Sequence, residues 1–96
     1  MPTYVALVKW TDQGAQNAKE TVNRARQVRA DFERRGITRF DVYWTQGRYD
    51  IVTLIDAPDE QTVMAGLLAL AGRGTVRTES LRAFTETEME QIIQKI

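Results

Sequence analysis

Cysteine and histidine are both absent from this chain of 96 residues, and their absence removes several kinds of chemistry. Without cysteine the chain has no disulfides and no thiol nucleophile. Without histidine it has no Ser-His-Asp or Cys-His arrangement, and haem would lack its usual axial ligand. Zinc and copper sites in proteins are built mainly from these two residue types. We therefore predict no metal site and no tightly bound cofactor.

Long apolar runs are also missing, since no stretch approaches the roughly 20 residues that a membrane-spanning helix needs. The first residues, MPTYVALVKW, lack the basic segment and cleavage site of a signal peptide, so we expect a cytoplasmic protein. Net charge is zero, which argues against a protein that binds nucleic acid through a basic surface. No Walker loop or G-x-G-x-x-G motif indicates a nucleotide held in a glycine-rich loop.

The composition is otherwise that of a folded domain, with 43% apolar and 27% charged residues. A chain of this length buries roughly 60–65% of its unfolded surface, which is enough for a thin core. We see no linker and no low-complexity tract, and predict a single domain over residues 1–96. The charges are unevenly distributed: arginines concentrate in the first half and glutamates near the end. They form either two solvated faces or a basic and an acidic helix that meet between subunits.

Hydrophobic periodicity predicts four strands and three helices. Residues 14–35 form one helical stripe that Gly36 would end, and Thr85 with Glu88 fits a capping box at the start of the last helix. The second helix opens at Pro58 and Asp59 and should bury a side that includes Leu68. The predicted strands are 3–10, 38–45, 49–57 and 75–84, and the predicted helices are 14–35, 58–71 and 85–96.

This order, βαββαβ followed by a helix, is the ferredoxin-like arrangement of the α+β class, with two helices on one face of an antiparallel sheet. Alternation in the first strand puts large apolar side chains on both faces, for example Leu7 on one and Val8 on the other. Exposing the second face would cost about 25 cal/mol for each Å² of apolar surface. We therefore expect a second copy to cover it, which gives a dimeric α/β barrel with Val8 in the interface.

The segment Gly47-Arg48-Tyr49-Asp50 lies between two predicted strands and has two interpretations. In the structural one, Gly47 supplies a positive φ at the tip, Tyr49 covers the base of the hairpin, and Asp50 binds backbone N–H groups or an arginine. In the functional one, Tyr49 and Asp50 lie at the mouth of a cleft between subunits. There Asp50 would act as a base and Tyr49 would hold an oxyanion.

Four segments occur in an order and at a spacing that are typical of a known family. They are YVALVKWTDQG at 4–14, G-x-Y-D at 47–50, APD at 57–59 and VRTESLRAF at 76–84. Together they resemble the GYD-domain family, and the resemblance covers essentially the whole chain. It implies a small ferredoxin-like protein that associates with itself and has no defined biochemical role. It brings no catalytic residue with it.

The candidates for ligand binding are aromatic and charged side chains near the ends of strands. They are Trp10, Tyr43, Arg48, Tyr49, Asp50 and Arg77. Trp10 and Tyr43 either pack in the core and interface or stack on a flat ligand, and Arg77 pairs with a carboxylate of the chain or of a ligand. Any reaction would have to use tyrosine, carboxylates, arginine or lysine, because histidine and cysteine are absent.

Two functions of different class follow. The first is a non-catalytic, self-associating module that binds a small molecule or a protein at a cleft between subunits. The second is a cofactor-free enzyme of the small-barrel type, such as an isomerase, a decarboxylase or a monooxygenase. A dry, aromatic cavity reached by Asp41 or Asp50 would favour the enzyme. The shortage of acid–base pairs favours the module. Its first expected partner is a second copy of the chain, and we expect it to bind neither nucleic acid nor membranes.

Overall fold

The computed structural model describes all 96 residues and contains one antiparallel four-stranded sheet with strand order β2-β3-β1-β4. The βαββαβ order and the antiparallel sheet confirm the predicted ferredoxin-like α+β fold. The strands are β1 (Thr3–Trp10), β2 (Arg39–Trp44), β3 (Ile51–Asp56) and β4 (Val76–Ala83). The helices are α1 (Asp12–Gln16), α2 (Thr21–Arg34), α3 (Glu60–Gly72) and α4 (Glu86–Ile93). None of these helices combines the length and the hydropathy that crossing a bilayer requires.

The core lies between one face of the sheet and the helices α2 and α3. Its larger cluster is built around Phe32 of α2 and Ile55 of β3, which are both 1% exposed. A smaller, separate cluster contains Val8, Ile51 and Val76, at the other end of the sheet. Val28 and Phe32 of α2, four residues apart, supply one part of the helical side of the larger cluster, and Val63 and Leu67 of α3 supply the other. Val22, also in the predicted stripe, is 44% exposed.

Strand alternation decides which side chains face the helices. In β1, Ala6 and Val8 are buried beneath them, whereas Val5 and Leu7 point to the opposite side of the sheet, here called the open face. Val8 is 4% exposed and belongs to the core of this chain. The prediction that Val8 lies in a dimer interface is therefore wrong; the side chains available to a second copy are those of Val5 and Leu7. Side chains in a strand alternate between the two faces of the sheet, so Leu7 and Val8, which are neighbours in sequence, point to opposite sides.

The predicted continuous helix 14–35 is interrupted. α1 ends at Gln16, a 3₁₀ turn follows (Ala18–Glu20), and α2 begins at Thr21. The break is held by polar contacts: the Asn17 amide donates to Gln13 O at 3.0 Å, and the Asn17 carbonyl accepts from Arg24 Nη1 at 2.7 Å. Asparagine competes for backbone groups in this way and disfavours helix interiors.

The ends of the helices follow the predicted signals more closely. Gly36 has a φ of 93° just after α2, and Asp59 caps α3 by accepting from Thr62 N at 2.7 Å. Thr85 and Glu88 form both bonds of the predicted capping box at α4. Leu68 is an exception: it is 60% exposed, so its predicted burial is wrong. The helix α3 is apolar nearly all round, and its sequence alone does not identify the buried side.

Candidate functional site

The six predicted site residues gather at one end of the sheet, where β1 ends, β4 begins and the β2–β3 hairpin turns. Lys9 pairs with Arg77 and Trp10 with Val76 across β1 and β4. Tyr43 pairs with Val52 across β2 and β3. The strand register therefore brings residues from four separate parts of the sequence to one end of the sheet. Their spacing along the chain did not indicate this proximity.

The hairpin has the backbone that the sequence predicts. Gly47 has a φ of 105°, in the left-handed region that favours glycine. Thr45 closes the turn with two bonds, because its hydroxyl donates to Tyr49 O at 2.7 Å and its N–H donates to Asp50 O at 2.9 Å. The turn is thus fixed by hydrogen bonds within the segment.

Asp50 ties the hairpin to the end of β1. Its carboxylate accepts a hydrogen bond from Trp10 N at 2.8 Å, and its own N–H donates to Val8 O at 2.9 Å. These two bonds, one of them to the side chain of Asp50, attach the hairpin to β1 just beyond the last pair of the β1–β3 ladder, Val8 and Ile51. Asp50 therefore does what the structural interpretation predicts for it, which is to bind a backbone N–H group.

Tyr49 reaches across the sheet to β4. Its hydroxyl donates to a carboxylate oxygen of Glu79 at 2.9 Å. The hydrogen bond to Glu79, together with desolvation and the negative charge nearby, raises the pKa of Tyr49 above its usual value. The tyrosine is thus held neutral and serves as a donor, which links the hairpin to β4.

The remaining predicted residues divide between the two faces. Tyr43 is 60% exposed on the open face. Arg77 starts from the open side of β4, but its Nη1 donates to Ala71 O near the end of α3 at 3.3 Å and to Val76 O at 2.9 Å. Trp10 lies on the helix side, where it lines a cavity between sheet and helices. Arg48 is exposed at the hairpin tip. The structure therefore does not join the six residues into one pocket, and their role in ligand binding stays a prediction.

The open face is apolar in the middle and polar at its rim. Strand pairing places Val5 between Leu54 and Leu81, and places Leu7 between Val52 and Glu79. Leu81 is 48% exposed, and the other apolar side chains of this group are half-buried. At the rim, Arg39 Nε lies 2.7 Å from Asp41 Oδ2. An apolar centre within a polar rim is the usual layout of a protein interface.

The segment Phe84–Ile96, here called the C-terminal arm, adds a second apolar surface. None of the residues in α4 is buried, and α4 packs extensively against no other element. Met89, Ile92, Ile93 and Ile96 form a helical stripe in the sequence, for which the sequence favours a docking face over a cofactor site. In the structure Met89 is 46% and Ile93 54% exposed, and Phe84 at the base of the stripe is 52% exposed. The sequence did not indicate a role for Leu81 or Phe84, because the pattern of β4 alternates only weakly.

Clusters of carboxylates suited to a metal ion do not occur in the structure. The acidic groups near the sheet edge are taken up by other contacts. Asp41 pairs with Arg39, Asp50 binds Trp10 N, and Glu79 accepts from Tyr49. None of these three acids lines the cavity between sheet and helices.

Comparison with solved structures supports the fold. HapK from Hahella chejuensis superposes with a TM-score of 0.59 at 19% identity, over 88% of this chain and 92% of HapK. A dimeric ferredoxin-like protein from an uncultured marine organism superposes with a TM-score of 0.54 at 12% identity, over 90% of this chain and 99% of that one. Identities this low show the shared fold alone.

Comparison of sequences is more specific. The model of the GYD domain matches residues 4–93. The "Glutamine synthetase and cystathionine beta-lyase binding protein" of Thermus thermophilus is 34% identical to this chain over 90 residues, which are 93% of this chain and 95% of that protein. The matched residues include the hairpin, the open face and most of the C-terminal arm. This chain belongs to the GYD-domain family.

Proposed function

We propose that this chain is a non-catalytic binding module that forms a homodimer through the open face and, as a dimer, binds another protein. The observation that carries the proposal is the open face itself, where apolar side chains of three neighbouring strands meet and no element of the chain covers them. A contiguous apolar surface of this kind is typical of an interaction site. A two-fold axis lets the same surface cover its own copy.

The C-terminal arm supports a dimer on separate grounds. The molecule measures 48 × 31 × 17 Å and its radius of gyration is 14.3 Å. A compact chain of this length would have a radius of gyration of about 12.5 Å. The arm, which packs on little of its own chain, is consistent with this excess. A second copy offers the apolar stripe of α4 a surface to pack on.

The dimer is tested by two substitutions at neighbouring positions. Leu7→Asp puts a carboxylate in the centre of the open face, and we expect it to weaken association by more than about a hundredfold, since burying an unpaired charge costs several kcal/mol. The far-ultraviolet circular dichroism should not change, because Leu7 lies outside the helix-facing core. Val8→Asp should instead unfold the chain. Gln61→Asp, exposed on α3, is the charge-matched control.

Sedimentation velocity at micromolar concentration gives the readout. The expected pattern is a dimer for the natural chain and for Gln61→Asp, and a folded monomer for Leu7→Asp. A natural chain that sediments as an 11.0 kDa monomer would refute the dimer. So would a Leu7→Asp variant that associates as strongly as the natural chain.

The partner class comes from the similar protein of Thermus thermophilus, whose name describes binding to glutamine synthetase and cystathionine beta-lyase. Within a dimer built on the open face, the outer side of the helical layer stays accessible. There Met64 and Leu68, one turn apart on α3, are 57% and 60% exposed. We infer that this apolar ridge contacts the partner enzyme.

Purified glutamine synthetase and cystathionine β-lyase from the organism of this chain are the partners to test. We expect a complex with at least one of them at micromolar concentration, measured by calorimetry. Replacing Met64 and Leu68 together by lysine should abolish the complex and leave the dimer intact. Ala30→Lys, at an exposed position of α2, is the control and should change neither the complex nor the dimer. No heat of binding to either enzyme at tens of micromolar would contradict the partner class.

The enzyme hypothesis gains no support from the site. It required a carboxylate that reaches a dry aromatic cavity, and both candidates, Asp41 and Asp50, are engaged elsewhere. The polar lining of the cavity consists of threonines, Gln27, Arg24 and Arg73, none of which is a general base at neutral pH. This lining suits binding better than proton transfer.

A further inference from the structure

A partly enclosed cavity of about 290 Å³ lies between the sheet and the helices α2 and α3. It separates the two core clusters, since its walls include Phe32 and Ile55 of the larger one and Val8 of the smaller one. Protein interiors are close-packed, with few voids larger than a water molecule. A cavity of this volume is near the lower end of the range for small-molecule sites. In a chain of 96 residues it is a conspicuous loss of packing.

The walls of the cavity are chiefly apolar and rich in rings. Of its 20 lining residues, 13 are hydrophobic, and Trp10, Phe32 and Phe40 are among them. The rings of Phe32 and Phe40 meet edge to face, with centroids 5.0 Å apart. Such walls favour a flat, apolar molecule that packs against aromatic rings.

One polar atom at the cavity lacks a partner. The indole Nε1 of Trp10 is buried and donates to no acceptor in the chain. The contrast with Trp44 is informative, because Trp44 Nε1 donates to Thr21 Oγ1 at 3.0 Å. A buried donor left unpaired is costly, and a native structure usually supplies a reason for one. The atom is out of reach of solvent in the empty protein, so an acceptor carried by a ligand would satisfy it only after the indole turns toward the cavity.

Two cations also line the cavity, and neither forms an ion pair at salt-bridge distance, although the charge of Arg73 helps to lower the pKa of Asp31. They are Arg24 and Arg73, which form none of the ion pairs of the structure. Arg24 is placed near Trp10 through Gly14, whose carbonyl accepts from Arg24 Nη2 at 3.2 Å and on which an added Cβ would lie 3.3 Å from Trp10 Cβ. No aspartate or glutamate lines the cavity. Its electrostatics therefore favour an anion.

We propose that this cavity binds a small aromatic carboxylate. The ring lies among the apolar side chains between sheet and helices, and the carboxylate lies in the field of Arg24 and Arg73. There it accepts a hydrogen bond from Trp10 Nε1 once the indole has turned toward the cavity. This site is on the opposite side of the sheet from the open face, and its occupancy is independent of the homodimer and of the partner enzyme. It places a ligand site inside each chain, where sequence reasoning expected a cleft between chains.

The first experiment uses 2-naphthoate as probe and 2-naphthamide as the uncharged control of the same shape. Titration of ¹⁵N-labelled protein should shift the Trp10 indole N–H resonance strongly and saturably, with one site per chain, and should shift that of Trp44 less. Because the arginines favour a carboxylate, 2-naphthoate should bind at least about fivefold more tightly than the amide. Absence of a saturable shift up to the solubility limit of 2-naphthoate would overturn the proposal.

The second experiment locates the binding. Trp10→Phe keeps a ring but removes the donor, and should weaken 2-naphthoate binding by about fivefold to tenfold. Arg73→Met should reduce the preference for naphthoate over naphthamide, and it serves as the decisive variant if Trp10→Phe does not fold. Equal affinities in the natural chain and in the variants that fold would place the probe elsewhere and refute the site.

Filling the cavity gives an independent readout. Ala25 lines the cavity, and Ala25→Leu should abolish binding while raising the melting temperature of the empty protein, because the added atoms occupy existing space. Ala30→Leu, on the exposed side of the same helix, is the matched control and should leave binding unchanged. Retained binding in Ala25→Leu would show that the probe does not occupy the cavity.

Discussion

Asp50 shows how one side chain decides between a structural and a functional interpretation of a motif. Its carboxylate accepts from Trp10 N and so extends the pairing of β1 beyond the last ladder step. We expect Asp50→Ala to reduce the free energy of unfolding by about 1–3 kcal/mol, because Trp10 N loses its acceptor, and Asp50→Asn to cost less. Urea unfolding measures both. Unchanged or increased stability in Asp50→Ala would make Asp50 a residue held in place for function.

Gly47 makes a separate contribution to the same hairpin. A Cβ at this position would meet no atom within 4 Å, so a side chain there costs backbone strain and causes no collision. With φ at 105°, Gly47→Val should lower stability by more than about 1 kcal/mol, and Gly47→Asn by clearly less. Equal melting temperatures for the two variants would show that the turn changes its conformation to relieve the strain.

Tyr49 leads to a prediction at alkaline pH. Because its pKa is raised in the folded state, chiefly by the bond to Glu79, the folded chain favours the protonated phenol. The stabilisation is fully present below the usual tyrosine pKa of about 10 and is lost as the pH rises through the folded value. Spectrophotometric titration should show one tyrosine that ionises late, and Glu79→Gln should remove this delay. Identical titration curves for the natural chain and Glu79→Gln would rule out the hydrogen bond between Tyr49 and Glu79 in solution.

At the scale of elements, the capping box makes the start of α4 sensitive to acid. The backbone N–H of Thr85 is the largest cause that lowers the pKa of Glu88, and Arg82 adds to it. A lowered pKa gives stability that is present above the usual glutamate value of 4.5 and lost as the pH falls through the folded value. Residues 86–93 should therefore lose helical ¹³Cα shifts in acid before the sheet unfolds. Glu88→Gln, whose amide also caps, should make the shifts independent of pH in this range.

The elements and most of their ends were predictable, but the break within the first predicted helix was not. Strong periodicity and end signals such as Gly36 and Asp59 identified the strands and helices. The break at Asn17 was missed because the apolar stripe continues in phase across it. Asn17 supplies the local contacts at the break, and a tertiary contact fixes where α1 lies: a Cβ on Gly14 would lie 2.1 Å from Thr75 O, so α1 is pressed against the start of β4. Contacts this distant in sequence leave no local signal.

For the whole molecule, the C-terminal arm should separate folding from association. No residue of α4 is buried, so deletion of residues 86–96 should lower the melting temperature of the isolated chain only slightly. The same deletion should weaken the homodimer, because the apolar stripe of α4 is then lost from the assembly. Sedimentation equilibrium compares the dissociation constants of the full and shortened chains. Equal constants would assign the interface to the sheet alone.

The site was less predictable than the fold, because it depends on how the sheet and the helices of the whole molecule are arranged. Sequence reasoning found the residues that gather at one edge of the sheet, but it could not say which side of the sheet each one occupies relative to the helices. Val8 was assigned to the wrong face on this account. The cavity beside Trp10 depends on how far apart α2 and the sheet pack, and that distance follows from many side chains at once.

The central position of β1 has a consequence for the order of events in folding. The first strand to be synthesised pairs with β3 and with β4, so that Thr3 lies opposite Asp56 on one side and opposite Ala83 on the other. Closing such loops costs chain entropy before stabilising contacts between the strands can form, and folding rates fall as contacts become more distant in sequence. During synthesis β1 must wait, with both edges unpaired, until most of the chain has been made. Its apolar residues are then open to pairing with other nascent chains, and rapid synthesis at high temperature should favour aggregation over folding.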